Sequence, residues 1–109
     1  MANNAAPFSV TEEDRGAGIY YLRAHGRIGV TESSALERKL ESALRARTTP
    51  TYIILNMSRV NYLSSGGIRV LLATYKRANK LGVTFCIDYP SEEVRNVLGT
   101  VALDRFLMK

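Results

Sequence analysis

The sequence predicts a single α/β domain, a mixed β-sheet with helices packed against it, in the order β-β-α-β-α-β-α. Three observations lead there. A chain of 109 residues is the size of one domain. Near its start, two segments rich in β-formers flank a glycine-bearing turn, the form of an antiparallel hairpin. After them, apolar runs of strand length alternate with stretches whose apolar residues recur every three or four positions. Such strand-helix-strand units imply parallel pairing through right-handed crossovers.

Phe8 to Glu12 alternates apolar and polar residues and reads as the first strand. Asp14 to Gly18 holds two glycines and reads as a turn. Ile19 to His25 follows as a strand, with Ile19 and Tyr21 on one face and Tyr20, Leu22 and Ala24 on the other. Thr31 or Ser33 offers an N-cap for a helix over Glu32 to Arg47, whose stripe is Leu36, Leu40, Ala43 and Leu44. Thr48-Thr49-Pro50 should end it, because proline cannot continue the helical hydrogen bonding.

Tyr52 to Met57 is a nearly continuous apolar run and predicts a central strand covered on both faces. Ser58 to Ser64 reads as a connection. A second helix is expected over Ser65 to Lys80, with Ile68, Leu71, Leu72, Tyr75 and Ala78 inward and Arg69, Ala73, Lys76 and Lys80 outward. Leu81-Gly82 marks its end. Val83 to Asp88 predicts another buried strand. Ser91 then caps a third helix carrying Glu92 and Glu93 in its first turn, with Val94, Val97, Leu98 and Val101 as its apolar stripe. Gly99 should weaken that helix or end it early. Leu103 to Lys109 reads as a short final strand or helix. The single domain spans residues 1–109, with 1–7 expected to be a flexible tail.

Composition excludes several classes of function. Hydrophobic residues make up 46% of the chain, enough for a core, but no stretch approaches the roughly 20 apolar residues of a membrane span. Residues 1–8 lack the basic and hydrophobic regions of a secretory signal. Cys86 is the one cysteine, so no internal disulfide forms, and it reads as a reduced core thiol of a cytoplasmic protein. The net charge of +5 is spread along the chain without a run of like charges, which reads as solvation and not as a nucleic-acid site. His25 is the only histidine, so neither a catalytic triad nor a histidine-rich metal site can be assembled, and it reads as an exposed strand-end residue. No metal, no cofactor and no enzymatic activity are expected.

The informative stretch runs from Asn56 to Leu72. A strand ends there, and Ser64-Ser65-Gly66-Gly67 opens a helix. Loops at the carboxyl ends of strands are the favoured sites of open α/β sheets. A helix start presents unpaired N–H groups and the positive end of the helix dipole. Three readings fit. Ser64 is a structural cap with the glycines making a tight turn, or the loop binds a phosphate, or a serine is itself phosphorylated. The nucleotide-binding patterns Gly-x-x-x-x-Gly-Lys-Ser/Thr and Gly-x-Gly-x-x-Gly are absent.

Tyr62, Leu63, Ser64, Ser65, Gly66, Gly67 and Ile68, followed by Val70-Leu71-Leu72, resemble the signature of the sulfate transporter and anti-sigma factor antagonist domain, the STAS domain. Leu55-Asn56-Met57-Ser58 resembles that family's central strand. Lys80-Leu81-Gly82 with Val83 to Ile87 resembles its next helix end and strand, and Val94 to Phe106 its closing pattern. The resemblance spans roughly the whole chain and implies a STAS-like domain of the anti-sigma factor antagonist type.

The resemblance further implies that Ser65 is phosphorylated, with Ser64 as the alternative, by a partner that is both an anti-sigma factor and a serine kinase. The unmodified form would bind that partner and free a sigma factor, and a PP2C-type phosphatase would reset the switch. Many family members carry Asp where this chain has Ser64. Arg59, Asn61, Tyr62, Ser64, Ser65, Gly66, Gly67 and Arg69 are the expected partner-binding residues, and the glycines are expected to loosen the helix start. Asp88 reads as a turn former that could also line a partner groove beside the Ser65 loop. An alternative is a STAS subunit of a stress-sensing or lipid-transport complex that acts without phosphorylation.

Overall fold

The computed structural model describes residues 7–45, 52–103 and 107–108. Strand β1 (Ser9–Asp14) and strand β2 (Ile19–Ile28) form the expected antiparallel hairpin. Strand β1 starts one residue later and ends two residues later than the sequence pattern suggests, and β2 runs on to Ile28 because Gly26, Arg27 and Ile28 pair with the third strand at Val60, Tyr62 and Leu63. Three consecutive residues of the turn between them are left-handed, with φ of 76° at Gly16, 55° at Ala17 and 78° at Gly18. Only glycine holds such angles without strain, which is why two of the three positions are Gly.

Helix α1 (Val30–Leu44) starts two residues earlier than expected and is not capped by Thr31 or Ser33. Gly29 is the N-cap, and its amide donates to the Glu32 carboxylate at 3.0 Å. A carboxylate three residues into the helix thus takes over what a capping hydroxyl would do. The helix ends at Leu44 with Arg45 as C-cap. The predicted stop at Thr48-Thr49-Pro50 and most of the predicted tail lie outside the described residues, as do 104–106 and 109 of the predicted final element.

Strand β3 (Tyr52–Leu63) is the largest departure. The predicted connection from Ser58 onward is strand, except for its last residue, Ser64. Polar Ser58, Arg59 and Asn61 hide it from a reading based on apolar runs, yet they sit at exposed positions between buried Met57, Val60 and Leu63. The β2–β3 register slips twice, between Arg23 and His25 and between Gly26 and Arg27, so β3 bulges and departs from strict alternation. Helix α2 (Ser65–Lys80), strand β4 (Thr84–Asp88) and helix α3 (Glu92–Thr100) complete the chain order. Helix α3 runs through Gly99, so that glycine does not end it. Beyond it, Met108 bridges Ile87 in parallel.

The sheet order is β1-β2-β3-β4, with β2, β3 and β4 parallel. One core lies on one side of it. Leu22, Ala24, Ile53, Leu55, Met57, Phe85 and Ile87 meet Leu36 and Leu40 of α1, Val70 and Leu71 of α2, and Val94 and Leu98 of α3. The buried stripe of α2 is Gly67, Val70, Leu71, Thr74 and Ala78, so Ile68 and Tyr75 are only half-buried, and Val101 beyond α3 is exposed.

Among the described residues the central strand is therefore covered by helices on one face, not both. The other face carries Ile54, Asn56 and Cys86 half-buried beside Tyr21. Cys86 is thus not a core residue, and His25 lies half-buried within β2, not at an exposed strand end. On the open face Asn56 Nδ2 donates to the Tyr21 hydroxyl at 3.0 Å, and that hydroxyl donates to Asp88 at 3.3 Å.

Where β4 stops, the remaining edge of β3 is taken by the start of α3. The Ser91 amide donates to the Met57 carbonyl at 3.1 Å and its hydroxyl to the Val60 carbonyl at 2.6 Å. The same Ser91 hydroxyl oxygen accepts the Val94 amide at 3.2 Å, capping α3 as the sequence predicts. An exposed sheet edge is thereby closed by side-chain chemistry.

Candidate functional site

The junction of β3 and α2 is built around two adjacent serines with opposite environments. Ser64 is buried, 7% exposed, and its amide donates to the Ile28 carbonyl at 2.9 Å, extending the β2–β3 pairing by one step. Its hydroxyl oxygen accepts the Gly67 amide at 3.1 Å, the bond of an N-cap. Ser65 is the first residue of the helix and is exposed. A hydroxyl at this position stands outside the hydrogen bonding that fixes the helix start. It is offered to solvent at the positive end of a 16-residue helix with no acidic side chain in its first turn.

The glycines let the helix start pack closely. A Cβ on Gly67 would lie 2.6 Å from Leu63 Cδ1 and 3.1 Å from Ile28 Cγ2, so glycine alone lets the helix start close onto the two strand ends. A Cβ on Gly66 would lie 3.2 Å from the Ser33 hydroxyl of α1. Both glycines thus lie against buried side chains, Gly67 against Leu63 and Ile28 and Gly66 against Ser33.

Ser65, Gly66 and Arg69 line a groove of about 470 Å³ between α2 and the first turns of α1, opposite Val30, Ser33, Ser34 and Glu37. Val30 is 80% exposed, a large apolar side chain at the rim of this groove. None of the α1 residues is apparent as a site residue in the sequence. Thr31 to Ser34 reads as an ordinary polar helix start, and only the docking of α1 on α2 brings it to Ser65.

Arg59, Asn61 and Tyr62 are exposed on β3 and do not line the groove. Tyr62 instead lies under the Arg27 guanidinium, 3.9 Å from carbon to ring centroid. Asp88 is not beside the Ser65 loop. It pairs with Asn56, seven residues short of the end of β3, which places it roughly 20 Å back along the sheet at ~3.3 Å per residue.

Among the described residues no three His, Cys, Asp or Glu side chains gather as a metal site would require, and no helix is long and apolar enough to cross a membrane. The class that fold and junction define is a small α/β domain with one helix-covered sheet face and a serine pair at the start of its second helix. The sequence profile of the STAS domain matches residues 10–109, and the chain belongs to that family.

The fold is similar to that of an anti-sigma factor antagonist from Mycobacterium paratuberculosis, at 23% identity and a TM-score of 0.81, over 93% of this chain and 83% of that one. It is similar to the anti-sigma factor antagonist SpoIIAA in its unphosphorylated form, at 19% identity and a TM-score of 0.77, over 92% and 86% of the two chains. The Bacillus SpoIIAA in its phosphorylated form matches at 19% identity and a TM-score of 0.72, over 92% and 89%. A sulfate transporter family protein from Wolinella succinogenes matches at 18% identity and a TM-score of 0.70, over 85% and 74%. At these identities the likeness is one of fold.

Proposed function

We propose that this chain is an anti-sigma factor antagonist, a protein-binding switch and not an enzyme, controlled by phosphorylation of Ser65. The observation that carries the reading is the division of labour between the serines. Ser64 is spent on the cap, so Ser65 is the hydroxyl free to accept a phosphoryl group without unmaking the helix start. The likeness to antagonists, one of them solved in a phosphorylated form, supports it. The partner is an anti-sigma factor with serine kinase activity, and a PP2C-type phosphatase reverses the modification.

In this reading the unmodified groove between α1 and α2 receives the partner, with Val30 as apolar contact and Arg69 as cation. Phosphorylation adds about 1.5 to 2 negative charges at neutral pH. Within the domain the helix start favours the anion by about 0.3–1 kcal/mol, so the fold tolerates it. In the complex the same dianion is desolvated, at a cost of several kcal/mol if unpaired. At ~1.4 kcal/mol per factor of ten, release by a factor on the order of hundreds needs no change of shape.

The test is the affinity of the kinase partner for unmodified and Ser65-phosphorylated protein. Loss of binding on phosphorylation is expected. Equal affinity would remove the switch and favour a second reading, supported by the likeness to a sulfate transporter family protein, of a STAS subunit acting without phosphorylation.

A further inference from the structure

All three helices share one core on one side of the sheet, so among the described residues no helix covers the other face. In β2 the even-numbered Leu22, Ala24 and Ile28 enter the core, so Tyr21, Arg23, His25 and Arg27 face the open side. The register sets Asn56 beside Arg23, Arg59 beside His25 and Tyr62 beside Arg27. Arg15 and Arg23 stack on Tyr21, at 3.7 and 4.9 Å from its centroid. The result is a stripe of four arginines, Arg15 from the β1–β2 turn, Arg23 and Arg27 on β2 and Arg59 on β3, roughly 20 Å long at ~3.3 Å per residue.

The two halves of the stripe differ. Arg15 and Arg23 are both paired to Glu13, at 3.2 and 3.4 Å, and Asp88 lies close by on the Tyr21 hydroxyl. Arg27 and Arg59 are exposed and make no ion pair among the described residues. The Glu32 carboxylate, which accepts the Gly29 amide, is not in ion-pair contact with Arg27. This half, whose arginines make no ion pair among the described residues, is continuous with the switch junction, since the Ser64 amide bonds the carbonyl of Ile28, the residue after Arg27.

We propose that the open face around Arg59, His25, Arg27 and Tyr62 docks an acidic segment of a protein partner. Guanidinium groups that make no ion pair among the described residues, set along a sheet face, complement carboxylates, which they can bind in bidentate fashion. A single-stranded nucleic acid would need open aromatic faces for base stacking. Here Tyr21 is 4% exposed and Arg27 covers one face of Tyr62. A membrane surface would favour exposed apolar side chains, and on this half Tyr62 is the one large hydrophobic residue exposed among the described residues. The inference goes beyond the phospho-switch, and its assay contains no kinase, so either can fail alone.

The test titrates the isotope-labelled full chain with a decapeptide of alternating glutamate and glycine at low ionic strength, following backbone amide shifts. Shifts concentrated on residues 23–28 and 58–63 are expected. The double variant Arg27→Ala/Arg59→Ala should weaken binding about tenfold. Lys76→Ala/Lys80→Ala, which removes the same charge from the outer stripe of α2, should stay within about twofold. Equal loss in both doubles, or shifts scattered over the basic surface, would overturn the proposal. So would tighter binding of a ten-residue oligothymidylate or of phosphatidylserine vesicles.

Discussion

The Gly67 amide donates to the Ser64 hydroxyl oxygen at 3.1 Å, in a site where Ser64 is 7% exposed and its neighbour Ser65 is exposed. Adjacent serines therefore have separable effects. Ser64→Ala removes the cap and is expected to cost about 1 kcal/mol, lowering the melting temperature by roughly 5 °C. Ser65→Ala should stay within about 0.5 kcal/mol of the parent. Thermal unfolding followed by circular dichroism checks both. A stability loss confined to Ser65→Ala would reverse the assignment of cap and switch.

Gly67 closes the start of α2 onto Leu63 and Ile28, both buried. Gly67→Ala gains about 1 kcal/mol of helix propensity but overfills the junction, at about 1–3 kcal/mol. A net loss of about 1 kcal/mol is expected in chemical denaturation. Because the clash is with the Leu63 side chain, Leu63→Ala should relieve it. The double variant should then be more stable than the two single losses predict by at least about 0.5 kcal/mol. Strict additivity would mean that the glycine is not held there by that contact.

Glu12 links the edge of the sheet to α1. The Tyr20 hydroxyl donates to it at 2.6 Å and the Lys39 ammonium lies 3.3 Å away. These contacts, the Tyr20 bond first, hold its carboxyl below the ordinary glutamate value of 4.5, against the opposing effect of partial burial. A carboxyl depressed in the folded state contributes stability that is present above its unfolded value and is lost as pH falls through the folded one. Tyr20→Phe should therefore narrow the difference in stability between pH 7 and pH 3 relative to the parent. Denaturant titrations at the two pH values check this, and an unchanged difference would count against the Tyr20–Glu12 bond.

Much of this fold is legible in the sequence because its strands and helices carry their own patterns. Leu36, Leu40, Ala43 and Leu44 mark α1 by spacing alone, and all four are buried. Ser91, Glu92 and Glu93 announce α3. The second half of β3 is not legible. Its exposed positions hold Ser58, Arg59 and Asn61, two bulges break its alternation, and its edge is satisfied by Ser91 from a distant segment. The same holds for the site. The serine pair stands out locally, whereas the α1 wall of the groove depends on helix docking, which no local pattern encodes.

Asp88 shows how strand length decides what a residue can reach. The parallel pairing expected of β3 and β4 is present, yet β3 outruns β4, and Asp88 serves the Tyr21–Asn56 cluster on the open face. Asp88→Ala is expected to cost about 1 kcal/mol of stability through the lost hydrogen bond. It should leave the affinity for the kinase partner unchanged in an interface assay such as calorimetry. A marked drop in affinity with an intact fold would place Asp88 back in the partner surface.

The central claim, that Ser65 is the switch, is tested most directly by phosphosite mass spectrometry after incubation with ATP and the partner kinase, on the parent, Ser65→Ala and Ser64→Ala. A single added phosphate is expected on the parent and on Ser64→Ala, and none on Ser65→Ala. A kinase that binds this protein and leaves it unmodified, or one whose phosphate persists in Ser65→Ala and vanishes in Ser64→Ala, would contradict the account.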